Sequence, residues 1–478
     1  MCGGMRGEWF ICVALTAVIC GCARLPEQAG APELQHALPA PDNSPEWIAA
    51  QQAFQTAYRE HGWNHPATAA ALNRMALVHK ARGKTAAAEG LYRQSYAIIR
   101  DTLGEEHRLA AATLNNLAEL YRETRRFEEA EDAFRRALGI MERDRGASHP
   151  DTGRIARNYA RLHRDRGQWE HAAVLYNRAV RIARENNAPV PDQVSLLREL
   201  STAQRSRGDF AAAELSLNAA QELIEKAALS GLKIDILNSR ALNLLAAGDQ
   251  QAALRSAERA LELRLAQDGW DHPATATEIR TLAWVQRLQG NYAEAEQLLR
   301  KSLAIDEILA GRNSIRVAEN LLDLAAVLQE RGALGEKLSL LERALDIMQD
   351  NPAADEMQLH DTMRRLAGIY FANRDFASAE SLLLQLAALK ESAGDEESAE
   401  MAAVLNNLGL VYAARRRYAE AESLYRRAVE IWEQDPAGNR MDIANAWFNL
   451  SELFDLRRMP AEARLYRLRA ERLLENNR

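Results

Sequence analysis

The sequence predicts an all-α fold, an α-solenoid of about ten helix-turn-helix units. A segment like Thr113–His149 recurs along the chain at a period of 40 to 42 residues. Each unit holds two stretches whose apolar residues are spaced by three and four, as in amphipathic helices. A constant period of this length is typical of repeats that stack in one dimension. The equivalent turn residues are Gly83, Arg125, Gly167, Gly208, Gly248, Gly290, Gly332, Arg374, Arg416 and Arg458.

The N-terminal 21 residues predict a signal peptide. Arg6 is followed by the apolar run Trp9–Ile19, which is too short to span a membrane, and then by small residues. The segment Ile19–Cys22 resembles the bacterial lipobox, in which the last Cys is lipidated, so we expect a lipoprotein-type leader at 1–21 with Cys22 as the lipidated residue. The alternatives are a plain signal peptide that is cut nearby and an uncleaved anchor. All four cysteines lie in the first 22 residues.

Residues 22–45 contain five prolines and few large apolar side chains, which favours an extended tether. Ala23 follows the predicted lipidated residue, where an Asp would mark retention at the inner membrane in some bacteria. We therefore expect a lipid-anchored protein of the cell envelope, at the outer membrane and facing the periplasm.

The solenoid is predicted over 46–478, with a helical cap at 46–61 and ten repeats over 64–478. With the turn residue numbered 15, repeat position 8 is small in all ten units and position 20 is Ala in nine, the exception being Lys337. Large apolar residues recur at positions 4 and 7, and an aromatic residue or Leu is common at position 24. Small residues that face large ones allow helices to approach closely.

This pattern resembles the tetratricopeptide repeat, in the longer form found in kinesin light chains. The form LNNLAELY…RRFEEAEDAFRRALGI is followed by a His-Pro dipeptide, which recurs at His65-Pro66, His149-Pro150 and His272-Pro273. HEAT repeats share the period without the small residues at positions 8 and 20. The resemblance implies a right-handed superhelix. We expect the His-Pro dipeptides to mark helix starts, because Pro is favoured at the first helical position, and we expect no metal site.

The sequence contains no phosphate-binding glycine loop, nucleophile elbow or zinc-protease motif, so we expect neither an enzyme nor a cofactor. The formal net charge of −7 gives no reason to expect nucleic-acid binding.

In the tetratricopeptide family, positions 2, 5, 9 and 12 of the first helix line the inside of the superhelix. In the third unit all four are Arg, in a chain of negative net charge. Guanidinium groups bind carboxylates and phosphates, which favours a partner-binding groove. The alternative is that these arginines pair with acids on adjacent helices, such as Glu119 or Glu123. The candidate groove residues are Asn115, Arg122, Arg154, Arg157, Arg161, Arg164, Arg198, Arg205, Asn238, Arg280, Trp284 and Arg287.

The sequence thus predicts a non-enzymatic scaffold of the bacterial cell envelope that binds protein partners, including acidic peptide segments, in a partly Arg-lined concave groove. Two alternatives remain: a binder or sensor of a non-protein anion such as a glycan or lipid head group, and a structural spacer without a groove ligand.

Overall fold

A computed structural model describes residues 44–351, 354–436 and 438–475, with Leu334 described by its backbone alone. The predicted leader, Cys22 and the tether up to residue 43 lie outside the described residues and stay predictions. All regular secondary structure in the described ranges is helical. The all-α prediction is confirmed.

The described residues divide into two compact units, one ending at Asp209 and the other beginning at Phe210. The helices of the first unit are α1 (Pro45–His61), α2 (Pro66–Ala81), α3 (Thr85–Leu103), α4 (Arg108–Glu123), α5 (Phe127–Arg145), α6 (Pro150–Asp165), α7 (Trp169–Glu185) and α8 (Val190–Ser206). We call α1, which precedes the first repeat and packs on α2, the cap helix; the helices from α2 onward pack in consecutive pairs.

The second unit continues the same pattern of paired helices through its last helix. A short 3₁₀ helix, Ser230–Leu232, precedes its second α-helix. The helices are α9 (Phe210–Lys226), α10 (Lys233–Ala246), α11 (Gln250–Asp268), α12 (Pro273–Leu288), α13 (Tyr292–Leu309), α14 (Ile315–Glu330), α15 (Leu334–Gln349), α16 (Glu356–Ala372), α17 (Phe376–Ser392), α18 (Ala399–Ala414), α19 (Tyr418–Trp432), α20 (Arg440–Leu456) and α21 (Pro460–Glu475).

The turn at position 15 has a left-handed backbone in every repeat, with φ between 58° and 87°. Six of these residues are Gly, which adopts such angles without a Cβ clash, and four are Arg. At each turn the following residue donates its backbone N–H to a carbonyl five residues earlier, as Arg126 does to Tyr121 over 2.8 Å. The ten turns therefore end the first helix of each repeat in the same way, as the sequence predicts.

The core forms where the small residues at positions 8 and 20 face the large ones. Ala76, Ala118 and Ala160 are fully buried, and beside them the rings at position 24, such as Tyr92 and Phe134, are buried as well. Lys337, the exception at position 20, directs its ammonium to the amide oxygen of Gln329 at 2.9 Å. A long side chain can thus replace the alanine because its charged end reaches out of the core.

The His residues at repeat junctions are N-caps. In His65, His107, His149 and His272 the ring Nδ1 accepts the backbone N–H two residues later, at 3.1 to 3.2 Å. Three of these helices begin with the expected Pro. His107 caps α4 without one. The His is therefore the constant element of the motif, and it satisfies a helix N–H that would otherwise lack a partner.

An ion pair recurs between neighbouring repeats. Arg at position 14 binds Glu at position 21 of the preceding repeat in four places, for example Arg457 with Glu422 at 2.5 Å. Both partners are partly exposed in three of these pairs, whereas Glu296 is nearly buried, and a partly exposed pair contributes about 1 kcal/mol or less. The other three are Arg166–Glu131, Arg331–Glu296 and Arg415–Glu380.

Candidate functional site

The predicted groove arginines of the first unit are mostly paired with carboxylates. Arg122 donates to Glu119 at 3.2 Å and to Asp165 at 2.5 Å, and it lies 3.7 Å from Glu123. Only 15% of its side chain is exposed. The alternative interpretation, pairing with acids on the same and adjacent helices, is therefore what the structure shows for Arg122.

Glu199 on α8 holds two of the four arginines of the third repeat. Arg157 binds it through Nε at 2.7 Å and donates to Ser195 Oγ at 2.7 Å. Arg161 binds the other carboxylate oxygen at 2.8 Å. Two guanidinium groups thus share one carboxylate, which leaves net positive charge on this face.

The remaining candidate arginines of the first unit vary in exposure. Arg164 pairs with Asp165 at 2.8 Å, while Arg154 is 48% exposed and lies 3.7 Å from Asp151. Arg198 and Arg205 on α8 are half-buried, and burial lowers the pKa of the Arg205 guanidinium. Whether these arginines bind a partner stays a prediction.

The candidate asparagines bond with the neighbouring repeat. Asn115 is 1% exposed, and its side-chain oxygen accepts the amide N–H of Asn158 at 3.1 Å. Asn238 donates to Glu278 at 2.6 Å. These amides bond between repeats, and the remaining Oδ1 of Asn238 is buried without a partner, so neither side chain offers an accessible group for the backbone of a partner peptide in this structure.

A cavity of about 310 Å³ brings together the three candidate residues of α12. Arg280, Trp284 and Arg287 form one wall, and residues of α13, α14 and α16 form the rest. The indole of Trp284 is accessible, with 38% of the residue exposed. We call this cavity the α12 pocket. Its other lining residues are Ala283, Leu299, Leu322, Asp323, Ala326, Val327, Gln358, Asp361, Thr362 and Arg365.

The α12 pocket carries three guanidinium groups and two carboxylates. Arg280 binds Glu319 at 2.5 Å and Asp323 at 3.0 Å, and Arg365 lies 2.6 Å from Asp361. Arg287 is half-buried, and no carboxylate of the described residues forms an ion pair with it. The pocket therefore offers one guanidinium whose hydrogen-bond donors are open to a ligand, beside an accessible indole.

Asp323, which lines the α12 pocket, is subject to two opposing electrostatic effects. Solvent reaches 44% of the Asp323 side chain, yet the surrounding wall displaces bulk water from much of its neighbourhood. This desolvation raises the pKa of Asp323, while Arg280 and Arg287 act in the opposite direction. An anionic group of a ligand near Arg287 would be attracted to the guanidinium groups and repelled by the carboxylate of Asp323.

Sequence reasoning missed Asp323, Asp361 and Arg365 in this pocket. Asp323 and Arg365 lie at repeat position 6, outside the candidate positions 2, 5, 9 and 12, whereas Asp361 lies at position 2 of the eighth unit and was not among the candidate residues. A repeat-to-repeat pattern identifies Asp323, because in four places the side chain at position 5 of one repeat bonds with the side chain at position 6 of the next. The four pairs are Asn115–Asn158, Arg157–Glu199, Arg280–Asp323 and Asn406–Asn449.

Two further properties bear on the site. Within the ranges that the structure describes, no helix is both long enough and apolar enough to span a bilayer. Over the same ranges, His, Cys, Asp and Glu side chains nowhere gather in a group of three or more that could hold a metal ion.

Comparison with known protein families decides the identity of the repeats. The family model described as tetratricopeptide repeat matches residues 67–143, 109–185, 232–308 and 400–476, together more than half of the chain. The chain belongs to the tetratricopeptide repeat family. The resemblance seen in the sequence is thereby confirmed. A comparison with curated proteins found no match.

Several solved tetratricopeptide structures are similar to parts of this chain. One is BtubC (BKLC) from P. vanneervenii, at 23% identity over 48% of this chain and 93% of that one, with a TM-score of 0.41. Another contains the nearly identical kinesin light chain TPR-like repeats of Podosopora anserina, at 20% identity over 51% and 97%, with a TM-score of 0.33. A third is the quorum sensor NprR from B. thuringiensis, at 16% identity over 75% and 97%, with a TM-score of 0.43.

Proposed function

We propose that this tetratricopeptide repeat protein is a non-enzymatic scaffold that binds an acidic segment of a partner protein, and that the α12 pocket is the centre of that contact. The observation that supports this most directly is Arg287, a half-buried guanidinium without an ion-pair partner among the described residues, on the same helix as the exposed Trp284. Arg and Trp are the residues that most often dominate binding energy at protein interfaces.

The first unit carries positive charge of its own. In the third repeat Arg157 and Arg161 share Glu199, and Arg154 is the most exposed of the four arginines. An extended acidic segment in contact with this face would compete with internal carboxylates, so we expect these arginines to add less to affinity than Arg287. We also propose that the protein lies in the cell envelope and carries a lipid anchor at Cys22. This part of the proposal rests on the leader sequence alone.

Site-specific photocrosslinking in cells that make the protein tests the pocket. A photoreactive residue replaces Leu288, which is 43% exposed beside Arg287, in the otherwise wild-type chain and in an Arg287→Glu variant. Arg255→Glu is the matched control, because Arg255 is exposed on α11 and does not line the pocket. We expect one protein adduct that the control retains and Arg287→Glu loses.

Binding of the identified partner to the purified proteins then gives the magnitude. Because a favourable charge becomes a repulsive one, Arg287→Glu should weaken binding roughly tenfold or more, and added salt should weaken wild-type binding. The same adduct from both variants would contradict the pocket proposal. Adducts with envelope polysaccharide or lipid in place of protein would favour the non-protein anion, and no Arg287-dependent adduct of any kind would favour the spacer.

A further inference from the structure

The histidine at repeat position 11 of the first repeat, His79, lies in an unusual environment. Its side chain is 0% exposed in the interface between α2 and the cap helix α1, and neither ring nitrogen has a hydrogen-bond partner. The ring contacts Trp47 of α1, with centroids 4.4 Å apart and the planes tilted by 56°. Trp47 is itself 1% exposed, and its indole N–H also lacks a partner. The contact is therefore one of packing alone.

A neutral ring fits this interface, and a protonated one does not. Protonation would give both ring nitrogens an N–H inside a buried contact that offers them no acceptor, and a buried charge without a partner is strongly unfavourable. Burial lowers the pKa of His79, and the charge of Lys84 lowers it further.

The charged groups around α2 do not supply a counter-ion. Glu46 of α1 lies 3.8 Å from Arg82, and Glu123 of α4 lies 2.9 Å from Lys80, so both acids face cations at the C-terminal end of α2. Lys84 precedes α3 and is itself a cation. The corresponding His163 of the third repeat differs, because its ring Nδ1 meets Gln168 Oε1 at 2.5 Å.

We propose that His79 makes the docking of the cap helix acid-sensitive, so that protonation of this ring releases α1 from α2 and exposes the apolar end of the repeat stack. The surface uncovered is the one on which Trp47, Ala50 and Phe54 rest, and these side chains form the buried face of α1. The device lies at the end of the stack that leads into the predicted tether, and it operates independently of the α12 pocket.

Hydrogen exchange of the full chain at pH 8 and pH 5, corrected for the intrinsic exchange rates, tests the release. The released ring has the ordinary histidine pKa of about 6.5, so the protection of α1 should fall about tenfold for each pH unit below that value until the lowered pKa of the docked ring is reached. Protection in α4 and α5, which contain no histidine, should change much less.

The variant His79→Phe should abolish the pH dependence of α1 protection, because it removes the titrating group. An aromatic ring fits here, since position 11 already holds one in other repeats, for example Phe454. His79→Leu is a second non-titrating choice, since Leu328 occupies the same position in the seventh repeat. His61→Gln, which removes an exposed histidine from the end of α1, should behave like the wild type. An equal acid-induced loss in both His79 variants, or no selective loss in the wild type, would overturn the proposal.

Discussion

At the scale of single residues, Gly409 shows that equivalent positions are not interchangeable. Position 8 is Ala in seven of the ten repeats and Gly only here. A Cβ at residue 409 would lie 2.6 Å from Cε1 and 2.8 Å from Cδ1 of Tyr425, which is 1% exposed. In this repeat the ring of Tyr425 therefore occupies the space that the methyl group of Ala at position 8 fills in seven other repeats.

Replacement of Gly409 by Ala, the majority residue of the family pattern, should therefore destabilise the protein. Overpacking of a rigid core costs about 1 to 3 kcal/mol, which outweighs the gain of roughly 1 kcal/mol that Ala brings over Gly in a helix. Denaturant titration of wild type and Gly409→Ala measures the difference. The second substitution Tyr425→Leu should restore stability, since Leu383 occupies the same position beside Ala367. A Gly409→Ala variant more stable than the wild type would refute this explanation.

At the scale of helices, the junction histidines give a direct test of capping. His107 accepts the N–H of Leu109 at 3.2 Å, and Ser314 and Ser398 cap α14 and α18 at the same repeat position. We expect His107→Ala to lower the free energy of unfolding by about 1 kcal/mol and His107→Ser to leave it nearly unchanged. Denaturant midpoints of the three proteins, measured at pH 8, provide the comparison. Equal losses in the Ala and Ser variants would show that the imidazole packs rather than caps.

The helices, their turns and their buried small residues were predictable because each depends on neighbours within one 42-residue unit. The left-handed turn at Gly83 and the buried Ala76 follow from local pattern alone. The partners of Asn115 and Arg280 were not predicted, because the bonds of both cross to the next repeat, and the sequence pattern does not fix how far one repeat is rotated against the next. Helix period identifies the inner face of one helix, whereas rotation between repeats decides which of its side chains remain open to a ligand.

At the scale of the whole molecule, two buried histidines and a partly buried one make the fold sensitive to acid. Burial lowers the pKa of His79, His163 and His360. The unfolded chain therefore takes up protons at a higher pH than the folded chain, and stability falls as the pH drops below the unfolded value of about 6.5.

Between pH 8 and pH 6, which lies above the ordinary range of carboxyl groups, each of the three histidines should remove up to about 0.8 kcal/mol of stability. Thermal unfolding followed by circular dichroism across this range measures the loss. The variants His163→Gln and His360→Gln should each flatten the pH profile, whereas His61→Gln, at an exposed site, should leave it unchanged. A wild-type melting temperature that rises toward pH 6 would contradict the sign of the effect.

The ion pair between position 14 of one repeat and position 21 of the preceding repeat makes the loss or gain of a whole repeat easier to tolerate. Arg415 binds Glu380, and Arg457 binds Glu422 one period later. If a recombination event deleted one whole period between Glu380 and Arg457, the new junction would bring the same two residue types together. The gain of one period would do likewise. The C-terminal repeats can therefore be lost or duplicated as modules without leaving an unmatched charge at the seam.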